Sequence, residues 1–308
     1  MAVPRKVLPR SRTAAGLLGA CLLLAACGGG SADDEKADSS PSPRSGQPVT
    51  KVLVFVVENH SLDQMRAEMP RSYALATRYG YATDFQAITH PSLPNYLTIV
   101  SGDPHGVADD GPPGDHPLQG PSIFARALKA GKTAGLYADA MPSPCDTANA
   151  GRYVVKHNPW AYFPGEAADC RRYDVPLSAL APAVSSGELP TVGMVIPDLC
   201  NDAHDCPLAT ADDWVAGQVD TVMSGPDWAS GRLAIVITAD EDDDHGVPDS
   251  DNRVLTAVLH PSQDHHVVDS LLTHRSLYGL LEDVAGVAHT EPPDTPSMAK
   301  AFGLPLHR

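Results

Sequence analysis

Basic charge is scarce in this chain. Its 308 residues hold 22 Lys and Arg against 38 Asp and Glu, a formal net charge of −16. Four of the basic residues and none of the acidic ones lie in residues 1–26, so loss of that segment leaves 18 against 38, or −20. A surface of that sign repels nucleic acid and anionic lipid at long range, and a nucleic-acid partner is excluded on that ground. A phosphorylated ligand would have to meet a local cation, which a bound metal ion supplies. Long apolar runs are also lacking. The stretch "AAGLLGACLLLAA" is too short and ends too abruptly for a spanning helix. Internal repeats are absent, and only one segment reads as a linker, so one large domain is expected. The cysteines lack the close paired spacing of a zinc ribbon, which leaves a zinc site as the weaker reading.

What is present at the start is an export signal. Arg5, Lys6, Arg10 and Arg12 precede the apolar stretch, and Leu24-Ala25-Ala26-Cys27 closes it. Small residues before a cysteine resemble the lipobox of bacterial lipoproteins. That resemblance implies cleavage before Cys27, a lipid on its sulfur, and anchorage to the outer face of the cytoplasmic membrane. The following "GGGSADDEKADSSPSPRSGQP" is too rich in Gly, Ser, Pro and charge to bury a core. The expected organisation is a signal at 1–26, a tether at 27–48 and a folded domain at 49–308. Four further cysteines remain, Cys145, Cys170, Cys200 and Cys206. An even number in an exported chain reads as disulfides, and the local pairings Cys145–Cys170 and Cys200–Cys206 are favoured.

Five apolar runs read as strands: "KVLVFVV" (51–57), "TAGLYA" (133–138), "TVGMVI" (191–196), "LAIVITA" (233–239) and "VLTAVL" (254–259). Helical patterns lie among them, at 121–131, 209–223 and 273–285, and "PNYLTIVSG" reads as a shorter helix closed by Gly102. The alternation predicts an α/β fold with a mostly parallel central sheet and helices on both faces. Ligands of such sheets gather at the carboxyl ends of strands. "ENHS", "PDLCNDAHDC" and "DEDDDHG" all follow strands, and would converge at one edge if their strands are neighbours. The bland reading is three solvated acidic loops. Glu58, Asn59, Asp240 and Glu241, with Ser92 completing the set, are oxygen donors suited to a hard divalent cation. The glycine of "DEDDDHG" comes one place too late for an EF-hand.

Ser92 stands between two prolines in "ITHPSLPNY". Pro94 fits the first turn of a helix, and Ser92 would then serve as its cap. A helix start also favours an anion, so the same serine is placed to attack phosphorus if a metal activates it. The local sequence alone favours the cap.

"ENHS", "THPSLPNYLTIVSG", "VVKHNPWAYF", "TVGMVIPDLCNDAHDC", "ITADEDD" and "LLTHRSLYGLLEDVAGV" follow one another over residues 50–285. Together they resemble the bacterial phosphoesterase family of secreted acid phosphatases and phospholipases C. They are most similar to the acid phosphatase branch that includes phosphatidylinositol 3-phosphate phosphatases. The resemblance implies an alkaline-phosphatase-like fold and a nucleophile at Ser92. It implies a divalent metal (Mg, Ca, Mn or Zn) on Glu58, Asn59, Ser92, Asp240 and Glu241. It further implies His157 and His204 as phosphate binders or general acid, with Asp202, Asp205 and His274 as substrate contacts. Ala239, Asp198 and Arg253 depart from the family's pattern. The expected activity is monoester hydrolysis through a phosphoserine, on a phosphorylated small molecule or a phospholipid headgroup. The rivals are a phospholipase C or other phosphodiesterase, and a lipid-anchored binding protein on a decayed scaffold.

Overall fold

A computed structural model describes residues 43–243 and 251–306. The expected signal, Cys27, most of the expected tether, and Asp244 and His245 of the acidic loop lie outside the described residues. Among the described residues ten strands occur in chain order: β1 (Lys51–Val57), β2 (Gly80–Ala82), β3 (Phe85–Gln86), β4 (Ala134–Ala138), β5 (Asp174–Pro176), β6 (Val192–Ile196), β7 (Leu233–Ala239), β8 (Thr256–Leu259), β9 (His266–Val268) and β10 (Leu272–Thr273). Eight of them form one sheet in the order β5-β4-β6-β1-β7-β8-β2-β9, and β3 pairs with β10 apart from it.

The central strands are the apolar runs of the sequence. Every residue of β4, β6 and β7 is buried, so both faces of the pleat are covered, as expected for parallel strands. One group of helices, Ser92–Ser101, Ile123–Lys129 and His274–Ala285, packs together; the last of these lies against β1 and β6. Another group centres on Leu208–Met223, which packs on Leu62–Glu68, Pro70–Arg78 and Leu180–Ser186. β8 runs antiparallel to β7 and to β2, which makes the sheet mixed at one side.

Val49, where the folded part is expected to begin, is buried and bridges to Leu306. The helices expected at 209–223 and 273–285 run over Leu208–Met223 and His274–Ala285. Gly286 closes the second with φ 67°, a left-handed turn that glycine adopts without strain. The four cysteines form two disulfides, Cys145–Cys170 and Cys200–Cys206, so their sulfurs are not available to zinc. Among the described residues no helix is long and apolar enough to cross a membrane.

Candidate active site

Strand register sets the geometry. β6, β1 and β7 are adjacent and parallel, so the three polar clusters that follow them meet at one sheet edge. Val57 pairs with Ala239, which brings the next residues, Glu58 and Asp240, side by side. The Asp240 N–H donates to the Val57 carbonyl at 3.1 Å, and the Asn59 N–H donates to Asp240 Oδ1 at 3.0 Å. Asn59 makes that turn at φ 51°, a conformation its short polar side chain tolerates. From the β6 side, the Asp202 carbonyl accepts the Glu58 N–H at 2.8 Å.

Ser92 begins the ten-residue helix Ser92–Ser101 but does not cap it. The cap position is Pro91, and no side chain caps this helix. The Ser92 hydroxyl donates instead to Glu58 Oε2 at 3.0 Å and is almost wholly buried. Asn95, in the first turns of the same helix, pins the approach to it. Its Oδ1 accepts from the Ile88 and Thr89 N–H groups, and its Nδ2 donates to the Thr89 carbonyl and to Glu241 Oε2. Tyr96 lies one turn from Ser92 on the same face, and its hydroxyl donates to Glu58 Oε1.

His157 is buried between two carboxylates. Its Nε2 lies 3.1 Å from Glu58 Oε2 and its Nδ1 3.2 Å from Asp202 Oδ2, though neither approach has hydrogen-bond geometry. The Tyr96 ring stacks on it at 5.2 Å. Burial alone would depress His157, but Glu58 and Asp202 outweigh that and hold it up at about 9. Burial likewise would raise Glu58, yet His157, Lys156 and Tyr96 hold it down at about 2. His204 is more open, with 32% of its side chain exposed. Its Nδ1 lies 2.8 Å from Asp205 Oδ1, and its main-chain N–H donates to Asp202 Oδ1 at 2.8 Å. The Cys200–Cys206 disulfide closes the loop that carries Asp202, His204 and Asp205.

The structure places two of the expected substrate contacts away from solvent. His274 is fully buried against Phe85, and its Nε2 meets the Asp240 carbonyl at 2.7 Å. Burial pushes its imidazole down to about 4, so it is a neutral prop behind Asp240 rather than a group facing a ligand. Asp202 is also fully buried, with Oδ1 accepting the His204 amide and Oδ2 3.2 Å from His157 Nδ1. Asp205 is exposed and orients His204.

The donor set suits a divalent cation. Asp240 is completely buried and its Oδ2 has no hydrogen-bond partner. Burial pushes Asp240 well above the usual carboxylate range; Glu58 and Glu241 add to this, and the Asn59 N–H and the Ser92 hydroxyl offset only part of it. A cation among these oxygens would remove that penalty. The structure gathers Glu58, Asn59, Ser92 and Asp240 but turns Glu241 aside, with its Oε2 on Asn95 and 3.2 Å from His90 Nδ1. The carboxylates of Glu58, Asp240 and Glu241 do not all come within 4.8 Å of one another.

Sequence reasoning missed Lys156, Asp110, Tyr96 and His90. Lys156 Nζ donates to Ser92 Oγ at 3.4 Å and to Asp110 Oδ2 at 2.9 Å, and lies 3.5 Å from His204 Nε2. Its signal was adjacency to His157 in "VVKHNPWAYF", and that of Tyr96 was its i+4 spacing from Ser92. Asp110 comes from an irregular loop with no periodicity to announce it. A cavity of 390 Å³ opens beside Lys156 and Asp110, lined also by Thr147, Asn149 and Val155. A larger one of 460 Å³, against Trp160 and Arg171, touches none of the residues around Ser92.

Comparison with known proteins gives a consistent result. The model of the Phosphoesterase family matches residues 63–257. The chain is 29% identical over 246 residues to a phosphatidylinositol-3-phosphatase of Mycobacterium tuberculosis, covering 78% of each. It is 26% identical over 240 residues to a phosphate-repressible acid phosphatase of Penicillium chrysogenum, covering 73% of this chain and 55% of that one. A crystal structure of a protein in the alkaline phosphatase superfamily from Vibrio parahaemolyticus superposes with TM-score 0.56 at 13% identity, over 80% of this chain and 69% of that one. At that identity the likeness concerns the fold.

Proposed function

The chain belongs to the phosphoesterase family, and from that premise we propose that it is an exported, lipid-anchored, metal-dependent phosphatase that cleaves phosphate monoesters through a phosphoserine at Ser92. That it hydrolyses phosphoric ester bonds follows from the family and its phosphatase relatives; the phosphoserine route is the finer step. The observation that carries the finer one is the uncapped Ser92 hydroxyl, held by Glu58 and Lys156 at a helix start.

The reaction divides into two displacements. Ser92 Oγ attacks phosphorus in line and releases its proton toward Glu58 Oε2, 3.0 Å away. As the Oγ–P bond forms, the bond from phosphorus to the leaving oxygen breaks. That oxygen takes a proton from His204, which Asp205 orients at the open side of the site. Water then attacks the phosphoserine with His204 taking its proton; the Oγ–P bond breaks, and Ser92 takes its own proton back from Glu58. Asp202 and His274 act indirectly: one seats His157 and His204, the other fixes the Asp240 main chain. A divalent ion on Glu58, Asn59, Ser92, Asp240 and Glu241 would supply Lewis-acid activation and charge neutralisation, and oxygen-rich donors lean toward Mg, Ca or Mn over Zn.

The Mycobacterium relative's activity makes a phosphoinositide headgroup the first natural substrate to test. The decisive assay compares nitrophenyl phosphate with bis-nitrophenyl phosphate on the detergent-solubilised mature chain with added divalent metal. Monoester preference, with acid-trapped phosphate on Ser92 by mass spectrometry and none in Ser92→Ala, supports the reading. Diester preference would install the phosphodiesterase. Full activity in Ser92→Ala would end it, and phosphate binding without turnover would leave a binding protein. The anchor is tested separately, by release of Cys27→Ala from the membrane fraction.

A further inference from the structure

The established family activity does not say how the site tells a monoester from a diester. The two substrates differ in charge. A monoester carries two charges over three non-bridging oxygens; a diester carries one over two. Discrimination therefore needs a fixed cation beside the nucleophile, at an oxygen that the diester esterifies. In a chain of net charge −16, with the buried carboxylate of Glu58 on Ser92 Oγ and that of Asp240 beside it, such a cation has to be deliberately held.

Lys156 meets that description. It sits in the short 3₁₀ turn Val155–His157, next to the His157 that packs on Glu58. Its ammonium has three N–H donors. One is taken by Asp110 Oδ2 at 2.9 Å, another reaches Ser92 Oγ at 3.4 Å, and the ammonium also lies 3.5 Å from His204 Nε2. Asp110 is itself fixed, because its Oδ1 accepts the Leu93 N–H at 3.0 Å. One carboxylate thus ties the ammonium to the first turn of the nucleophile's own helix. The side chain is only 18% exposed, so it is held at the site rather than swinging in solvent.

The geometry points to Lys156 as a catalytic residue, the cation that binds a charged non-bridging oxygen of the monoester dianion, with Asp110 as its positioning partner. This rests on the phosphoserine reading above. As Ser92 attacks, charge on the equatorial oxygens is met by an ammonium already within contact distance of the attacking atom. In a diester that position is an uncharged alkoxy oxygen, and the ammonium gains little. Asp110 contributes by holding Nζ; it touches no reacting atom.

The test measures kcat/KM for nitrophenyl phosphate and for bis-nitrophenyl phosphate in the wild-type chain, Lys156→Ala, Lys156→Met and Lys156→Arg. Met keeps the aliphatic stem should Ala fail to fold. Removing one such donor costs about 10²–10³-fold. We expect that loss on the monoester, a loss of less than roughly tenfold on the diester, and partial recovery of the ratio in Arg. In parallel, calorimetry with inorganic phosphate should show binding weakened about tenfold or more in Lys156→Met, since a charge-assisted hydrogen bond is lost. Dimethyl phosphate binding should change far less. Equal losses on both substrates, or unaltered phosphate binding, would overturn the assignment. Ser92→Ala keeps the two levels apart: if it stays active, the phosphoserine reading falls; if it is inactive while the Lys156 variants keep the wild-type ratio, only this inference falls.

Discussion

A hydroxyl engaged in capping a helix is not free to attack phosphorus, and in the mechanism proposed for Ser92 that conflict is resolved by Asp110. The first-turn amide of Leu93 is satisfied by the Asp110 carboxylate, so the serine side chain can turn to Glu58. Loss of a true serine cap costs about 1 kcal/mol. Ser92→Ala should therefore abolish turnover while lowering stability by less than about 1 kcal/mol, read from chemical denaturation. A second residue makes a prediction about stability. Asp174, at the start of β5, is fully buried with Asn158 Nδ2 donating to it at 2.8 Å. Burial pushes its carboxyl up to about 7 from 3.8. Its folded pKa thus exceeds its unfolded one, so between about pH 4 and 7 the native state holds the extra proton. Stability from this group is present below that window and declines as pH rises through it. The span corresponds to a few kcal/mol at most, on the order of 1.4 per pH unit. Wild type minus Asp174→Asn, measured as unfolding free energy at pH 4 and pH 8, should show that decline; a flat difference would refute it.

At the scale of elements, the long apolar strands were legible and the short ones were not. β1 and β7 coincide with the runs "KVLVFVV" and "LAIVITA", because strands buried on both faces leave uninterrupted hydrophobic stretches. β3 and β10 have two residues each, and β2, β5 and β9 three, too few for any periodicity to register. The reversed direction of β8 is likewise a matter of connection, not composition. The same distinction governs the site. Glu58, Asp240 and the 198–206 cluster were readable because they end strands. Lys156 and Asp110 arrive on irregular segments whose position is set by packing alone. The disulfide loop links these levels. Cys200–Cys206 closes only a short loop, so its stabilisation is about 2 kcal/mol. Its effect on activity should be selective, since the loop holds Asp202, His204 and Asp205. A Cys200→Ser/Cys206→Ser chain should behave as a milder His204→Ala. In both, alkyl phosphates, whose leaving oxygens need a proton, should lose at least about tenfold more in kcat/KM than nitrophenyl phosphate. Equal losses on both substrate types would remove His204 from the role of general acid.

Across the whole molecule, acidic excess and a buried carboxylate cluster make the same demand. The protein places Glu58 and Asp240 where neither is reached by solvent, and one Asp240 oxygen lacks a partner. Unpaired buried carboxylates are destabilising, and Lys156 with His157 offsets only part of that charge. A cation that binds the folded state alone stabilises it by mass action, by about 2.7 kcal/mol at a concentration 100 times its Kd. Addition of Mg, Ca or Mn to metal-stripped protein should therefore raise the thermal midpoint by several degrees, and chelation should reverse the shift with loss of activity. The readout does not depend on turnover, so it applies to Ser92→Ala as well, where one oxygen donor is gone but the carboxylates remain. Asp240→Asn divides the outcomes. If the cation binds at this edge, that variant is more stable than wild type without metal, because the cost of burying or protonating that carboxylate has been removed, and it gains little when metal is added. A midpoint that rises equally in wild type and Asp240→Asn would place the metal elsewhere and leave the carboxylates at the ends of β1 and β7 without their proposed occupant.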